Sequence, residues 1–148
     1  MNKKTATAYV QRLEAVLDAA AVAFRPLAEA EWSLVHSQWT AAFRAPKRTA
    51  DNHPVTDDYL WHRFSFGVHP SLEFDPAQHE YERQAVKGRW FLLSAWKAAS
   101  FGYECTGPLP NLRPLRADLL VFPRDPAWTM AFTHEDGHCG PYFAVRKK

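Results

Sequence analysis

The sequence predicts an α+β protein, with a largely antiparallel sheet of about five to seven short strands and about two or three helices packed mainly on one face. Two amphipathic helical patterns come early in the chain, and short apolar segments bounded by turn residues follow them. The chain has 148 residues, and 47% of them are hydrophobic. A chain of this length and composition can bury a core, so we expect one domain over residues 1–148.

Helical spacing of apolar residues predicts three helices. Residues 5–20 place apolar side chains on one side and charged side chains on the other. Residues 29–44 repeat the pattern, and the acidic residues at their start suit a helix N-terminus. The apolar stripe of this second helix consists of Trp32, Val35, Trp39 and Phe43. A shorter third helix is expected to begin at Asp75, as its N-cap, and to end near Gly88.

Several other apolar segments are predicted strands. Residues 59–66 alternate as a strand does, which places His62 on an apolar face with Leu60 and Phe64. Residues 89–94 form an almost continuous apolar run, which is typical of a strand buried on both faces. Further strands are expected at residues 22–27, 101–105 and 118–122.

The segment 128–146 contains the greatest concentration of chemically capable side chains, and its pattern predicts a β-hairpin. Asp136-Gly137 is a strong signal for a two-residue turn, because both residues tolerate the positive φ of a type I′ turn. With this dipeptide at the tip, the opposed pairs are His134 with Cys139 and Glu135 with His138. Opposed side chains have Cβ atoms about 4.5–5.5 Å apart, so each pair is expected to be in contact.

Composition excludes several classes of partner. The formal net charge is only +2, and the basic residues are dispersed, so we expect no nucleic-acid partner. The basic residues considered for such a partner are Lys87, Arg89, Arg113 and Arg116. No run of about 18 apolar residues occurs, so no membrane partner is expected. Two cysteines, Cys105 and Cys139, are too few for a disulfide scaffold and indicate a reducing, cytoplasmic location.

The hairpin supports two hypotheses of chemistry. A metal site would use His134, His138 and Cys139, completed by His62 or Cys105, because imidazole and thiolate are zinc ligands. The alternative is that His134 bonds across the strands, His138 is solvated and Cys139 is packed. Because the spacing contains neither C-x-x-C nor H-E-x-x-H, this alternative is favoured and no metal or cofactor is expected.

The second hypothesis makes Cys139 a thiolate nucleophile with His134 as its base. Glu135 or Asp136 would then orient the imidazole. Adjacent residues of a strand point to opposite faces, so Glu135 is poorly placed to orient His134. No catalytic residue is therefore assigned.

Two blocks of sequence carry a resemblance to a known family. They are Tyr59-Leu60-Trp61-His62 with Phe64-Ser65, and Trp128-Thr129 followed by Thr133-His134-Glu135 and Gly140-Pro141-Tyr142-Phe143. Together they resemble a bacterial domain-of-unknown-function family, the one numbered four-two-seven-five. The resemblance implies a small cytoplasmic α+β protein, and it implies no activity. It singles out Trp61, His62, Trp128, His134, Glu135, Pro141 and Tyr142.

The sequence favours a non-catalytic binding or interaction module with a protein partner, of which an immunity-type protein is one example. The alternative is a metal- or cysteine-dependent enzyme with its site at the 134–142 hairpin. The candidate binding site consists of His62, Trp61, His134, Glu135, His138, Cys139 and Tyr142. We expect His62 to be neutral, to anchor the hairpin, and to lie within about 10 Å of His134.

Overall fold

A computed structural model of the protein describes residues 3–147. These residues form seven strands, four α-helices and one 3₁₀ turn. The helices are α1 (Lys3–Ala19), α2 (Glu29–Ala42), α3 (His62–Ser65) and α4 (Phe74–Glu82), and the 3₁₀ turn spans Arg113–Leu115. The strands are β1 (Ala23–Pro26), β2 (Leu72–Glu73), β3 (Trp90–Ser94), β4 (Gly102–Thr106), β5 (Leu119–Pro123), β6 (Trp128–Phe132) and β7 (Tyr142–Val145).

The seven strands form a single sheet in the order β1-β4-β3-β5-β6-β7-β2, and every neighbouring pair is antiparallel. This confirms the predicted α+β class and the antiparallel sheet. Strand β3 lies between β4 and β5, and all five of its residues are buried. Its continuous apolar run follows from this position, because a central strand with both faces covered has no solvent side.

Helices cover both faces of the sheet, so the prediction that they lie mainly on one face is wrong. On one face, Trp90 and Leu92 belong to the core that receives the apolar stripes of α1 and α4. On the other face, Phe91 and Leu93 belong to the core that receives α2 and α3. Because side chains of a strand alternate between faces, a strand that is apolar at every position requires a cover on each side.

Among residues 3–147, no helix is both long enough and apolar enough to cross a membrane.

The predicted strand at residues 59–66 is also wrong. Tyr59 forms an isolated bridge with Trp96, and the chain then turns into the short helix α3. The backbone N–H groups of Phe64 and Ser65 both bond to the carbonyl of Trp61, at 2.9 and 3.2 Å. This turn directs Leu60, Trp61 and Phe64 into one core. A dense apolar block fits both an alternating and a helical pattern, and packing against α2 selects the helical one.

The β6–β7 hairpin has the predicted register but not the predicted turn. Ala131 pairs with Tyr142, and Met130 with Phe143, as a turn at residues 136–137 requires. Strand β6 ends at Phe132 and β7 begins at Tyr142, so residues 133–141 form a loop instead of continuing the ladder. Within it, the carbonyl of Glu135 accepts the N–H groups of His138 and Cys139 at 2.8 and 2.9 Å. His134 therefore does not face Cys139 across a pair of strands.

The remaining elements differ from expectation mainly at their ends. Helix α4 begins at Phe74, after Glu73 as N-cap, and ends at Glu82 instead of near Gly88. Its start is fixed by the N–H of Phe74, which donates to the carbonyl of Pro141 at 3.0 Å. The two-residue strand β2, which was not predicted, pairs Leu72 and Glu73 with β7.

Two leucines adjacent in β3 test the coverage of both faces. We expect Leu92→Ala and Leu93→Ala each to lower the free energy of unfolding by about 2–5 kcal/mol, because each empties a fully buried site. Chemical denaturation measures both values. Leu34→Ala, at an exposed position of α2, is the matched control and should change stability by less than about 0.5 kcal/mol. A near-neutral result at Leu92 or Leu93 would show that one face is uncovered.

Candidate functional site

The buried carboxylate of Asp118 joins three parts of the fold. Asp118 directly precedes β5, and its Oδ1 accepts the indole N–H of Trp61 at 2.9 Å. The same oxygen accepts the backbone N–H of His134 at 3.0 Å. The backbone carbonyl of Asp118 accepts the N–H of Ala95 at 2.9 Å. One residue thus connects the turn before α3, the 133–141 loop and the segment after β3.

The imidazole of His134 is also held by this carboxylate. Its Nδ1 lies 2.8 Å from Oδ1 and 3.1 Å from Oδ2 of Asp118. Because an ionised carboxylate only accepts hydrogen bonds, Nδ1 carries the proton in this contact. In the neutral imidazole, Nε2 is therefore a free acceptor, and it lies 3.9 Å from Oε1 of Glu135. The side chains of His134 and Glu135 are 39% and 47% exposed, so both can reach a ligand.

Aromatic rings surround His134 and form what we call the aromatic platform: Tyr59, Trp61, Trp96 and His134. Tyr59 is at its centre, stacked on Trp61 with ring centroids 5.3 Å apart and on Trp96 at 6.4 Å. The centroid of His134 lies 4.8 Å from that of Tyr59. Burial raises the pKa of Tyr59, and the charges of Asp118, Glu135 and Asp58 raise it further. Tyr59 therefore remains a neutral phenol at physiological pH.

His62 lies beside the platform, but it does not anchor the loop as predicted. Its Nδ1 is 2.8 Å from Oγ1 of Thr56 and 3.3 Å from the Thr56 carbonyl. Its ring packs against Tyr59 and Trp61, at centroid distances of 5.5 and 4.6 Å. These are the two rings that His134 also contacts. The two histidines therefore share one cluster, and Trp61 makes the hydrogen-bonded connection that was assigned to His62.

The cysteine-nucleophile arrangement is not assembled in this structure. Burial raises the pKa of the Cys139 thiol, and hydrogen bonding to the Glu135 carboxylate raises it further, so the thiol stays protonated. The carboxylate that orients His134 is that of Asp118, not Glu135 or Asp136. Asp136 is instead paired with the guanidinium of Arg113 through two contacts of 2.9 Å.

The other candidate residues of the hairpin have separate surroundings. Tyr142 is buried and stacks on Trp61 with a centroid distance of 6.2 Å. Burial raises its pKa, with further contributions from Glu73 and Cys139. His138 is exposed in the loop. Within residues 3–147, no group of three His, Cys, Asp or Glu side chains is arranged to hold a metal ion, so His134, His138 and Cys139 do not form the hypothesised ligand set.

Three members of the site were missed in the sequence: Asp118, Tyr59 and Trp96. The pairing of β5 with β6 is the feature from which the position of Asp118 beside His134 could have been predicted. Because Leu119 pairs with Phe132, the residue before Leu119 lies next to the Thr133–His134 step. That relation becomes visible only once the register of β5 and β6 is known. The sequence did indicate Trp61 and His134, which the structure places together.

Comparison with known proteins identifies one family. The model of the family described as domain of unknown function, DUF4275, matches residues 35–143. This range contains the whole aromatic platform and Asp118. No curated protein and no solved structure matches the chain.

The Asp118 carboxylate should be the most sensitive polar group of the site. We expect Asp118→Ala to lower the free energy of unfolding by about 1–3 kcal/mol, because it leaves the buried indole N–H of Trp61 and the partly buried backbone N–H of His134 without this acceptor. His134→Ala keeps the backbone donor and should cost less. Urea denaturation of both variants provides the comparison. Equal stabilities for the two variants would contradict the role assigned to Asp118.

The raised pKa of Cys139 predicts slow alkylation. At pH 8 we expect iodoacetamide to modify Cys139 more slowly than it modifies a free thiol, because only the thiolate reacts and its fraction is reduced. Glu135→Gln removes a charge that disfavours the thiolate, so this variant should react faster at the same pH. Intact mass and peptide mapping follow the reaction, and Cys139→Ser identifies the labelled site. A rate in the wild type equal to that of a free thiol would refute the assignment.

Proposed function

The chain belongs to the DUF4275 family, and we propose that it acts as a non-catalytic binding module that recognises a protein partner through the aromatic platform. The observation that carries the proposal is the hydrogen bonding of Asp118, which fixes both Trp61 and His134 before any ligand arrives. A preorganised surface loses little conformational freedom on binding. An immunity-type protein, which neutralises a toxin by binding it, is one example of such a module.

The chemistry of the platform specifies the partner group. The carboxylate of Glu135 is an acceptor at the surface, as is Nε2 of His134 in the neutral imidazole, and the faces of Tyr59 and Trp96 are only partly buried. The charge of Asp58 also acts on Tyr59. Acceptors, negative charge and aromatic faces together complement a cation that carries N–H donors. The proposed partner therefore presents an arginine or lysine side chain to the platform.

An Asp–His pair also occurs in acid–base catalysis, so the pair by itself is compatible with an enzyme as well as with a binding module. Catalysis by Cys139 would require its thiol to be readily ionised and activated by His134. Its thiol instead interacts with Glu135 and Tyr142, and its pKa is raised. These contacts support binding over a cysteine-dependent reaction at residues 134–142. No metal or cofactor is part of the proposal.

The proposed setting is the cytoplasm, with a protein partner and no nucleic-acid or membrane partner. Both cysteines are free, which agrees with a reducing compartment. The formal net charge of +2 provides no broad attraction for a polyanion. We propose a single domain as the binding unit.

The test is a titration with the minimal partner group. Nα-acetyl-L-arginine methylamide is added to the full chain, and the indole N–H resonances of Trp61 and Trp96 are followed by NMR. We expect saturable shifts of both, because the guanidinium would lie against Tyr59 and Trp96 and beside Glu135. Trp61 is buried, and it would respond through Tyr59, which stacks on it. The neutral analogue Nα-acetyl-L-citrulline methylamide has a similar shape and should cause much smaller shifts.

Two variants locate the binding. Glu135→Gln removes the exposed carboxylate and should raise the Kd of the arginine probe by roughly two- to fivefold, as expected for a partly solvated ion pair. Asp18→Asn neutralises an exposed carboxylate on α1, on the other face of the sheet, and should bind as the wild type does. Identical titrations with arginine and citrulline probes, or an unchanged affinity in Glu135→Gln, would overturn the proposal.

A further inference from the structure

A concave site adjoins the platform at Trp96, which contributes to both. It is a cavity of about 630 Å³ between α2, the segment after it and the residues that follow β3. Its chemically distinctive lining residues are Trp32, His36, Arg44, Arg63, Trp96 and Lys97. This volume is in the range of about 300–1,000 Å³ in which small-molecule sites usually fall. Neither the family match nor the platform accounts for it.

The charge of this cavity is unbalanced. Three cationic side chains line it, those of Arg44, Arg63 and Lys97, against the single carboxylate of Asp57. Among residues 3–147, no carboxylate lies within salt-bridge distance of Arg44 or Lys97. Both of these side chains belong to exposed residues. The cavity therefore attracts negative charge.

Arg63 is the buried cation of this cavity, and its position is fixed. It is only 6% exposed, and its Nε donates to the Leu60 carbonyl at 3.0 Å while Nη1 donates to the Phe43 carbonyl. Its guanidinium also lies 4.8 Å from the centre of the Trp39 ring. These contacts hold the group in one orientation without supplying a counter-charge.

Within residues 3–147, Arg63 is paired with a single carboxylate, and that carboxylate is a weak partner. Nη2 of Arg63 lies 3.5 Å from Oδ1 of Asp57, whose side chain is 70% exposed. A guanidinium has five N–H donors, and the contacts described here use three of them. Burial lowers the pKa of Arg63, which reflects the cost of a desolvated cation. An oxyanion beside Nη2 would supply both charge and acceptors, in the paired geometry that guanidinium favours.

Two tryptophans supply flat walls next to these cations. Trp32 stacks on His36 with ring centroids 4.7 Å apart, and Trp96 stacks on Tyr59 of the platform. Burial lowers the pKa of His36, and the charge of Arg63 lowers it further, so His36 is neutral at physiological pH. The walls therefore suit a planar ring, while the charge comes from the arginines and the lysine.

We propose that this cavity binds a small organic anion in which a planar ring carries a phosphate or carboxylate group. The oxyanion pairs with Arg63, Lys97 and Arg44, and the ring packs against Trp32 and Trp96. The ligand is an anion, whereas the partner group proposed for the platform is a cation. Each site can therefore be tested without the other.

The experiment uses phenyl phosphate and benzoate as probes, with phenol as the uncharged control and inorganic phosphate as the ringless one. Each is titrated into the full chain, and NMR follows the indole N–H resonances of Trp32 and Trp96 and the backbone amide of Lys97. We expect saturable shifts with the ring-bearing anions, weaker binding of inorganic phosphate, and no binding of phenol. Whichever of phenyl phosphate and benzoate has the lower Kd shows whether the cavity prefers a phosphate or a carboxylate.

Substitutions at the exposed cations keep the test clear of folding effects. Arg63 supports two backbone carbonyls, so its replacement is expected to perturb the fold. Lys97→Gln and Arg44→Gln should each raise the Kd of phenyl phosphate by roughly two- to fivefold. Lys87→Gln, at an exposed position outside the cavity lining, removes the same charge and should have no effect.

The two proposals are separated by crossing their variants. Lys97→Gln should weaken phenyl phosphate and leave the arginine probe unchanged, whereas Glu135→Gln should do the opposite. The cavity proposal is overturned if phenyl phosphate shifts neither Trp32 nor Trp96, or if Lys97→Gln and Arg44→Gln both titrate as the wild type does. Equal binding of phenol would also overturn it, since the anionic group would then contribute nothing.

Discussion

The platform depends on one buried carboxylate. An ionised group in a protein interior is stable only if hydrogen bonds replace its hydration, and Asp118 receives them from Trp61 and from two N–H groups of His134. Its partners are an indole, an imidazole and a backbone N–H, and no arginine or lysine of residues 3–147 is paired with it. The indole and the imidazole therefore have fixed positions, and Tyr59 stacks between them. Without this acceptor, both the loop at 133–141 and the turn before α3 would lose their common attachment.

The two faces of the sheet differ in the buried charged residues that contact their cores. The face covered by α1 and α4 is packed mainly with aliphatic and aromatic side chains. Among the residues whose burial is described, 8–147, the buried charged ones are Arg63 and Asp118, and both contact residues of the core under α2 and α3. That core also contains a buried polar pair, in which the indole N–H of Trp39 donates to Thr129 at 3.0 Å. The two buried charged groups thus lie on one side, where both surfaces proposed for binding lie.

Elements with a strong local pattern were predictable from sequence, and those decided by a distant residue were not. The stripe of α2 and the apolar run of β3 are evident in the sequence, because periodicity alone specifies them. The register of the hairpin was also predicted, since alternation fixes which residues pair. The loop at its tip was not, because Asp118, in a different part of the chain, binds the N–H of His134. Tyr59 and Trp96 were missed for the same reason: their stacking requires residues 59 and 96 to bridge.

This bridge also explains why two surfaces of opposite charge can be adjacent. The N–H of Leu60 donates to the Ala95 carbonyl, and the N–H of Lys97 donates to the Asp58 carbonyl, both at 2.9 Å. Two neighbouring aspartates precede this bridge. Asp57 lines the basic cavity, whereas the charge of Asp58 raises the pKa of Tyr59 in the platform. Trp96 contributes to both surfaces. Paired backbone therefore carries walls of both surfaces, and the stack of Tyr59 on Trp96 is the contact at which the two surfaces meet.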